Sequence, residues 1–239
     1  YNSNYLQQIP MKKFLSIILL FIFSSISAFA HQPRLVKESQ IEVIEPTVSK
    51  AYYAELTGEA DIYTINSEEA FDLYIGILVP AIEGIDKDVS AEILKNGEPL
   101  YFLDGENFEW YEWFEPFSGD DYFYGPELKD PNSTGPHPAG INVEAGTYEV
   151  HITSPDNEGK YVMAIGEKEE FPIDEITNVL FILPELKSNY FEKSIFAAYY
   201  NLSGAFFLFI IVITALIIFI GIKIHKKFKK KEKKKRKKS

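Results

Sequence analysis

The densest chemistry in the chain lies between residues 107 and 127. Both tryptophans, Trp110 and Trp113, stand there with Tyr111, Phe114, Phe117, Tyr122, Phe123 and Tyr124. Glu109, Glu112, Glu115, Asp120, Asp121 and Glu127 are interleaved with them. Rings beside carboxylates stack on sugar faces while the carboxylates accept hydroxyl hydrogen bonds. The same rings anchor protein partners, giving much contact area at low entropy cost. Trp110, Tyr111, Trp113, Phe117, Tyr122 and Tyr124 are therefore the expected partner-contacting residues. The competing expectation is that half of these rings only complete a core.

Two metal chemistries are also encoded. Cleavage before His31 would free an α-amine beside its imidazole, a chelating pair suited to Cu2+ once a second imidazole completes a square arrangement. His137, in a Gly-Pro-His-Pro loop, and His151, on the polar side of a strand, are the available second ligands. Asp130-Pro-Asn-Ser-Thr-Gly135 opens like a calcium loop, but its twelfth position is Ile141, so an EF-hand is not expected. A looser Ca2+ site would combine Asp130 and Asn132 with Asp120 or Asp121. An Asx-rich turn is the plainer reading of the same residues.

Nothing points to catalysis. G-x-S-x-G, H-E-x-x-H and phosphate-cradling glycine loops are all missing, and the absence of cysteine removes thiol nucleophiles, thiolate metal sites and disulfides. Carboxylate pairs are inevitable among 35 acids. The chain is read as a non-enzyme.

Charge divides the chain. Residues 31–201 hold 34 Asp and Glu against 10 Lys and Arg, a net of −24, whereas residues 223–239 hold twelve Lys and Arg against one Glu. The acidic part should repel nucleic acid. Between the two lies the charge-free run Leu202–Ile222, whose 21 residues at a rise of ~1.5 Å each match a bilayer core. It is read as one transmembrane helix. The polybasic tail, with Lys223, Lys226 and Lys227 facing lipid head groups, is expected on the cytoplasmic side.

The elements that must position these residues follow in order. Residues 1–10 precede the first methionine and look like upstream translation. Residues 11–30 read as a signal peptide: Lys12 and Lys13, an apolar core, then Ala28-Phe29-Ala30. Residues 31–170 form the extracytoplasmic domain, with short alternating stretches punctuated by turn residues. Phe71, Leu73, Ile75 and Ile77 alternate, as do Tyr148, Val150 and Ile152. Asn96-Gly97 suits a primed hairpin turn, and Lys160–Gly166 follows the turn cluster 154–159 as a returning strand. Seven or more such strands predict an antiparallel β-sandwich, mainly β in class. In the connection 171–201, Ile176, Val179, Leu180 and Leu183 recur at helical spacing, with Asp174 as N-cap and Pro184 as the interruption.

The strand series Ala51–Leu56 paired with Asp61–Ile65, then Phe71–Gly76, then Ala145-Gly-Thr-Tyr-Glu-Val and Gly159-Lys-Tyr-Val-Met-Ala resembles the bacterial pre-peptidase C-terminal domain and related jelly-roll modules. Its layout is similar to membrane-anchored bacterial proteins carrying such a domain. The resemblance covers residues 41–166 and implies a jelly-roll-like sandwich in an accessory or binding role. It transfers no site residues. The expectation is a single-pass binding module for a protein or glycan, the alternative an extracytoplasmic metal-binding protein.

Overall fold

The computed structural model describes residues 31–133, 139–170 and 172–236. The expected signal peptide at residues 11–30 and His137 lie outside the described residues. Thirteen strands are formed among the described residues. They begin with β1 (Gln32–Leu35), β2 (Gln40–Val43), β3 (Lys50–Thr57) and β4 (Asp61–Ser67). Next come β5 (Phe71–Leu73), β6 (Ile75–Pro80), β7 (Ser90–Lys95) and β8 (Glu98–Leu103). The last are β9 (Tyr111–Glu115), β10 (Asp120–Leu128), β11 (Ile141–Val143), β12 (Gly146–Thr153) and β13 (Glu158–Ile165).

One sheet runs β1-β3-β13-β6-β10-β9, the second β2-β4-β12-β7-β8, and a small β11-β5 pair accompanies them. The period-2 alternation read from the sequence turns one side of each sheet inward. Tyr52, Leu56, Ile75, Ile77, Tyr161 and Met163 of the first sheet meet Tyr63, Ile65, Ile93, Tyr148, Val150 and Ile152 of the second in one buried cluster. The protein is a mainly β sandwich. Asn96 and Gly97, with φ of 52° and 83°, make the β7–β8 turn, where left-handed backbone favours this pair.

Pairing departs from expectation at three places. First, β3 and β4 are not partners: β3 bonds to β1 and β13, and β4 to β2 and β12. The early strands alternate between sheets, so each crossing reverses the chain and strands two apart run the same way. That is why β1–β3 and β2–β4 are parallel, while the remaining pairings are antiparallel. Second, β13 does not return beside β12 but crosses to the other sheet. Third, the alternating stretch from Phe71 breaks at Tyr74 into β5 and β6, which belong to different sheets.

Strand β6 is buried at every position, which requires a layer on the outer side of its sheet. The helical connection supplies it. Helix α1 (Ile173–Glu185) passes through Pro184 and widens into a π turn at Leu186–Tyr190, where the Phe191 amide donates to the Leu186 carbonyl at 3.0 Å. A proline without N–H removes one bond from the regular ladder at this point, and the chain continues with the wider π spacing instead of stopping. Asp174 lies in the first turn and is not the cap; Pro172 is, without a side-chain hydrogen bond. After a 3-10 turn at Ile195–Tyr199 comes α2 (Leu202–Arg236), a single helix running from the apolar segment into the basic tail. Its stretch Gly204–Lys223 is long and apolar enough to span a membrane.

Leu183, Leu186, Tyr190, Phe191 and Ala198 pack on Ala51, Tyr74, Leu78, Tyr122, Val162 and Ala164 as a second buried cluster, which Phe207 of α2 joins at its edge. Sandwich, connection and the start of α2 are therefore one packed unit.

Candidate functional site

The aromatic stretch 107–127 forms the β9–β10 hairpin at the edge of the first sheet. Alternation on β10 splits its rings. Phe123 packs towards the sandwich core, whereas Tyr122 and Tyr124 lie under the helical connection. On β9, register places Trp113 opposite Tyr122 and Tyr111 opposite Tyr124. Tyr111 stacks on Tyr124 at 5.3 Å and 18°, and Trp113 lies tilted against Tyr122 at 5.8 Å. An edge strand leaves these outer rings uncovered: Tyr111 is 52% exposed and Trp113 38%, against 3% for Tyr122.

The expected contact set thus divides by burial. Tyr122 is a core residue, because its ring is closed over by Phe191 at 5.2 Å and its hydroxyl shares a 2.9 Å hydrogen bond with that of Tyr53. Tyr124 is half-buried, and the Tyr74 and Tyr124 hydroxyls meet at 2.8 Å, each also within reach of the Glu127 carboxylate at 3.2 and 3.0 Å, so their two hydrogens are shared among three contacts. Burial pushes the Tyr53, Tyr74 and Tyr122 hydroxyls well above their ordinary range. They stay neutral, as hydrogen-bonding tyrosines in a packed layer should. Trp110 packs at the core margin with its indole N–H donating to the Gly105 carbonyl at 2.8 Å. Phe117 sits half-buried in the turn. Of the six, Tyr111 and Trp113 are the exposed rings; Phe108 and, on β8 at the edge of the second sheet, Leu100, Tyr101 and Phe102 are exposed as well. The β8 residues carry a signal that the sequence reading passed over: an apolar triplet directly after a tight turn on a strand with no partner beyond it.

The turn closing this hairpin carries the main electrostatic feature. Asp120 is buried between two ammonium groups, Lys187 from the π turn and Lys193 beyond it; Lys193 also reaches Asp121 at 3.6 Å. Lys187 further donates to the Ser118 carbonyl at 2.7 Å, and the Asn201 amide donates to the same oxygen at 2.5 Å. Burial pulls the Lys187 ammonium below its ordinary value, opposed by Asp120. At the other end of the connection Arg34 of β1 grips Glu175 of α1 with two hydrogen bonds, 2.9 and 2.7 Å. These fix the connection against the sheet.

Among the described residues the metal expectations are not assembled, and the His31–His137 pairing lies outside them. Asp120 has both oxygens committed to lysines, and Asp130 turns its carboxylate back onto the Asn132 backbone and side-chain amides at 2.8 and 3.0 Å. Asp120 opens β10 and Asp130 lies just past its end, so the strand, at ~3.3 Å per residue, holds them roughly 30 Å apart. They cannot share one Ca2+. His31 meets Ser49 through Nδ1, the atom a terminal copper chelate would use, at the start of β1 in the first sheet. His151 lies on β12 of the second sheet and bonds Glu149 at 2.9 Å. The structure does not bring them together. Among the described residues no group of three or more His, Cys, Asp or Glu is placed to hold a metal ion. On α2, Lys223 lies over the Phe219 ring at 4.7 Å, and Lys226 and Lys227 follow three and four residues later.

No protein-family model matches the chain, and no curated protein matches it. The pre-peptidase C-terminal resemblance read from strand layout is met again among solved structures. The chain is similar to the pre-peptidase C-terminal domain of collagenase from Bacillus anthracis, with 10% identity and a TM-score of 0.28 over 57% of this chain and 96% of that one. It is also similar to a beta-glucosidase from Paenibacillus barengoltzii, with 13% identity and a TM-score of 0.23 over 57% of this chain and 13% of that one. The sandwich assignment itself rests on the strand pairings of this chain.

Proposed function

We propose that the chain is a single-pass, membrane-anchored binding module whose sandwich lies outside the cytoplasm and recognises a protein or glycan partner without catalysing a reaction. The observation that carries the reading is the pair Tyr111 and Trp113: two open rings on an edge strand, the first held by half-buried Tyr124 and the second by buried Tyr122 of β10. Rings immobilised before contact give up little entropy on binding. Exposed Glu109, two residues before Tyr111, supplies a hydrogen-bond acceptor for hydroxyl or amide groups. The twelve Lys and Arg after the span support the cytoplasmic placement of the tail.

Glycan arrays and cell-surface cross-linking with the Tyr111→Ala/Trp113→Ala variant test the site. Loss of binding by about tenfold or more, equivalent to ~1.4 kcal/mol, is expected with an unchanged near-ultraviolet circular dichroism spectrum outside the lost chromophores. Full binding by a folded variant would remove the margin as the contact surface. For orientation, Ser39→Cys should react with an impermeant maleimide on intact cells and Ser239→Cys should not.

A further inference from the structure

A groove of about 980 Å³ opens where the sandwich, the connection and α2 meet. Phe114 and Pro116 of the hairpin form one wall, Leu180 and Tyr200 of the connection another, and Phe207 and Ile211 of α2 the floor. The apolar span begins at Gly204, inside the groove, and Ile211 lies seven residues further on, or ~10 Å along the helix. The groove therefore straddles the level at which the span would enter hydrocarbon. Open apolar surface of this extent is not left to water.

The hairpin turn is built for such a level. Pro116 has no N–H, the Phe117 and Ser118 amides donate to the Glu115 carboxylate at 2.8 and 2.6 Å, and the Gly119 amide donates to the Glu115 carbonyl at 2.9 Å. The Ser118 carbonyl accepts from Lys187 and Asn201, and the Gly119 carbonyl from Lys193 at 3.3 Å. Irregular backbone tolerates the edge of hydrocarbon better the more of its polar groups are bonded internally, as these three amides and two carbonyls are. Exposed Tyr199 and Tyr200 sit where amphipathic rings mark the head-group layer.

We propose that this groove is a lipid seat, occupied by acyl chains of phospholipid from the leaflet in which the span begins. The net charge of −24 on residues 31–201 selects zwitterionic over anionic lipid. The inference rests on the reading that α2 spans the bilayer. The sandwich would then be lowered onto the membrane by its hairpin turn, setting the Tyr111–Trp113 margin just above the head groups.

The chain lacks cysteine, so single nitroxide labels are clean. Pro116→Cys, Leu180→Cys and Tyr200→Cys variants of the full chain in phosphatidylcholine nanodiscs are compared with Glu42→Cys, on the opposite sheet. At the groove, collisions with oxygen should exceed those with a water-soluble nickel chelate, and the ratio should be several-fold that at Glu42→Cys. A ratio equal to that control means a water-filled groove and overturns the proposal. Loss of both collisions means a protein occupant, a second copy included, and overturns it equally. A chain not retained in the disc would instead overturn the span reading, a failure seen by flotation before any label is read.

Discussion

Lys187 and Asp120 form an ion pair with side chains only 1% and 2% exposed, and Lys193 holds the second oxygen of the same carboxylate at 3.2 Å. One acid of the β9–β10 turn thus receives two cations from the segment that leads into the membrane helix. Desolvation outweighs Coulomb attraction at Lys187, whose ammonium lies below its ordinary value, but the Ser118 carbonyl takes a further Lys187 hydrogen, so little of the buried charge is left unpaired.

Removing the buried partner should cost far more than removing the half-open one. Lys187→Ala is expected to lower stability by about 3 kcal/mol, since it leaves Asp120 buried with one partner. Lys193→Ala, about a third exposed, should cost ~1 kcal/mol or less. Urea unfolding of the detergent-solubilised chain, followed by tryptophan fluorescence, measures both. Equal losses would contradict the arrangement.

Asp61 makes a pH prediction. The Tyr161 hydroxyl donates to it at 2.6 Å, and burial raises its carboxyl above the ordinary 3.8, with that hydrogen bond pulling the other way. The folded chain therefore keeps this proton to higher pH than the unfolded chain does. Above the raised value the charged carboxylate costs stability; the cost fades as pH falls through that value towards 3.8. Asp61→Asn keeps an acceptor for Tyr161 and removes the charge. The variant should match or exceed the parent at pH 7, and the gap should close on acidification. A gap that widens as pH falls would contradict the sign.

Gly125 is held by an indole. A Cβ there would stand 2.5 Å from the Trp110 ring and 2.8 Å from the Ile77 carbonyl oxygen. Gly125→Ala should cost about 1–3 kcal/mol through overpacking and alter the near-ultraviolet tryptophan signal. Adding Trp110→Phe should recover part of the loss.

Chelation should be without effect. With Asp120 occupied by lysines and Asp130 closing its own turn, EDTA is expected to leave the thermal midpoint unchanged. A rise of several degrees on adding Ca2+ would restore a calcium site.

Local periodicity was readable from the chain. Alternation at Tyr148, Val150 and Ile152, the Asn96-Gly97 turn and the apolar run after Leu202 each depend on neighbours within a few residues, so pattern alone determined them. Inner or outer side of a strand is such a property. Which strand lies beside which is not: β3 and β4 look like a hairpin, yet the chain crosses between sheets at Gly58, whose amide donates to the Asn157 carbonyl of the other crossing at 2.8 Å.

The aromatic stretch shows the same limit. Composition marked residues 107–127 as unusual but could not tell Tyr122 from Trp113, because that difference is made by Phe191, some seventy residues away. Nor could 34 acids single out Asp120, although only ten basic side chains in residues 31–201 were available to pair with any of them. Sequence by itself determined a mainly β chain with an apolar helix and a basic end. Tertiary structure alone decided that the connection is a second layer on the sheet, since burial on both sides of β6 arises only when distant segments close over it.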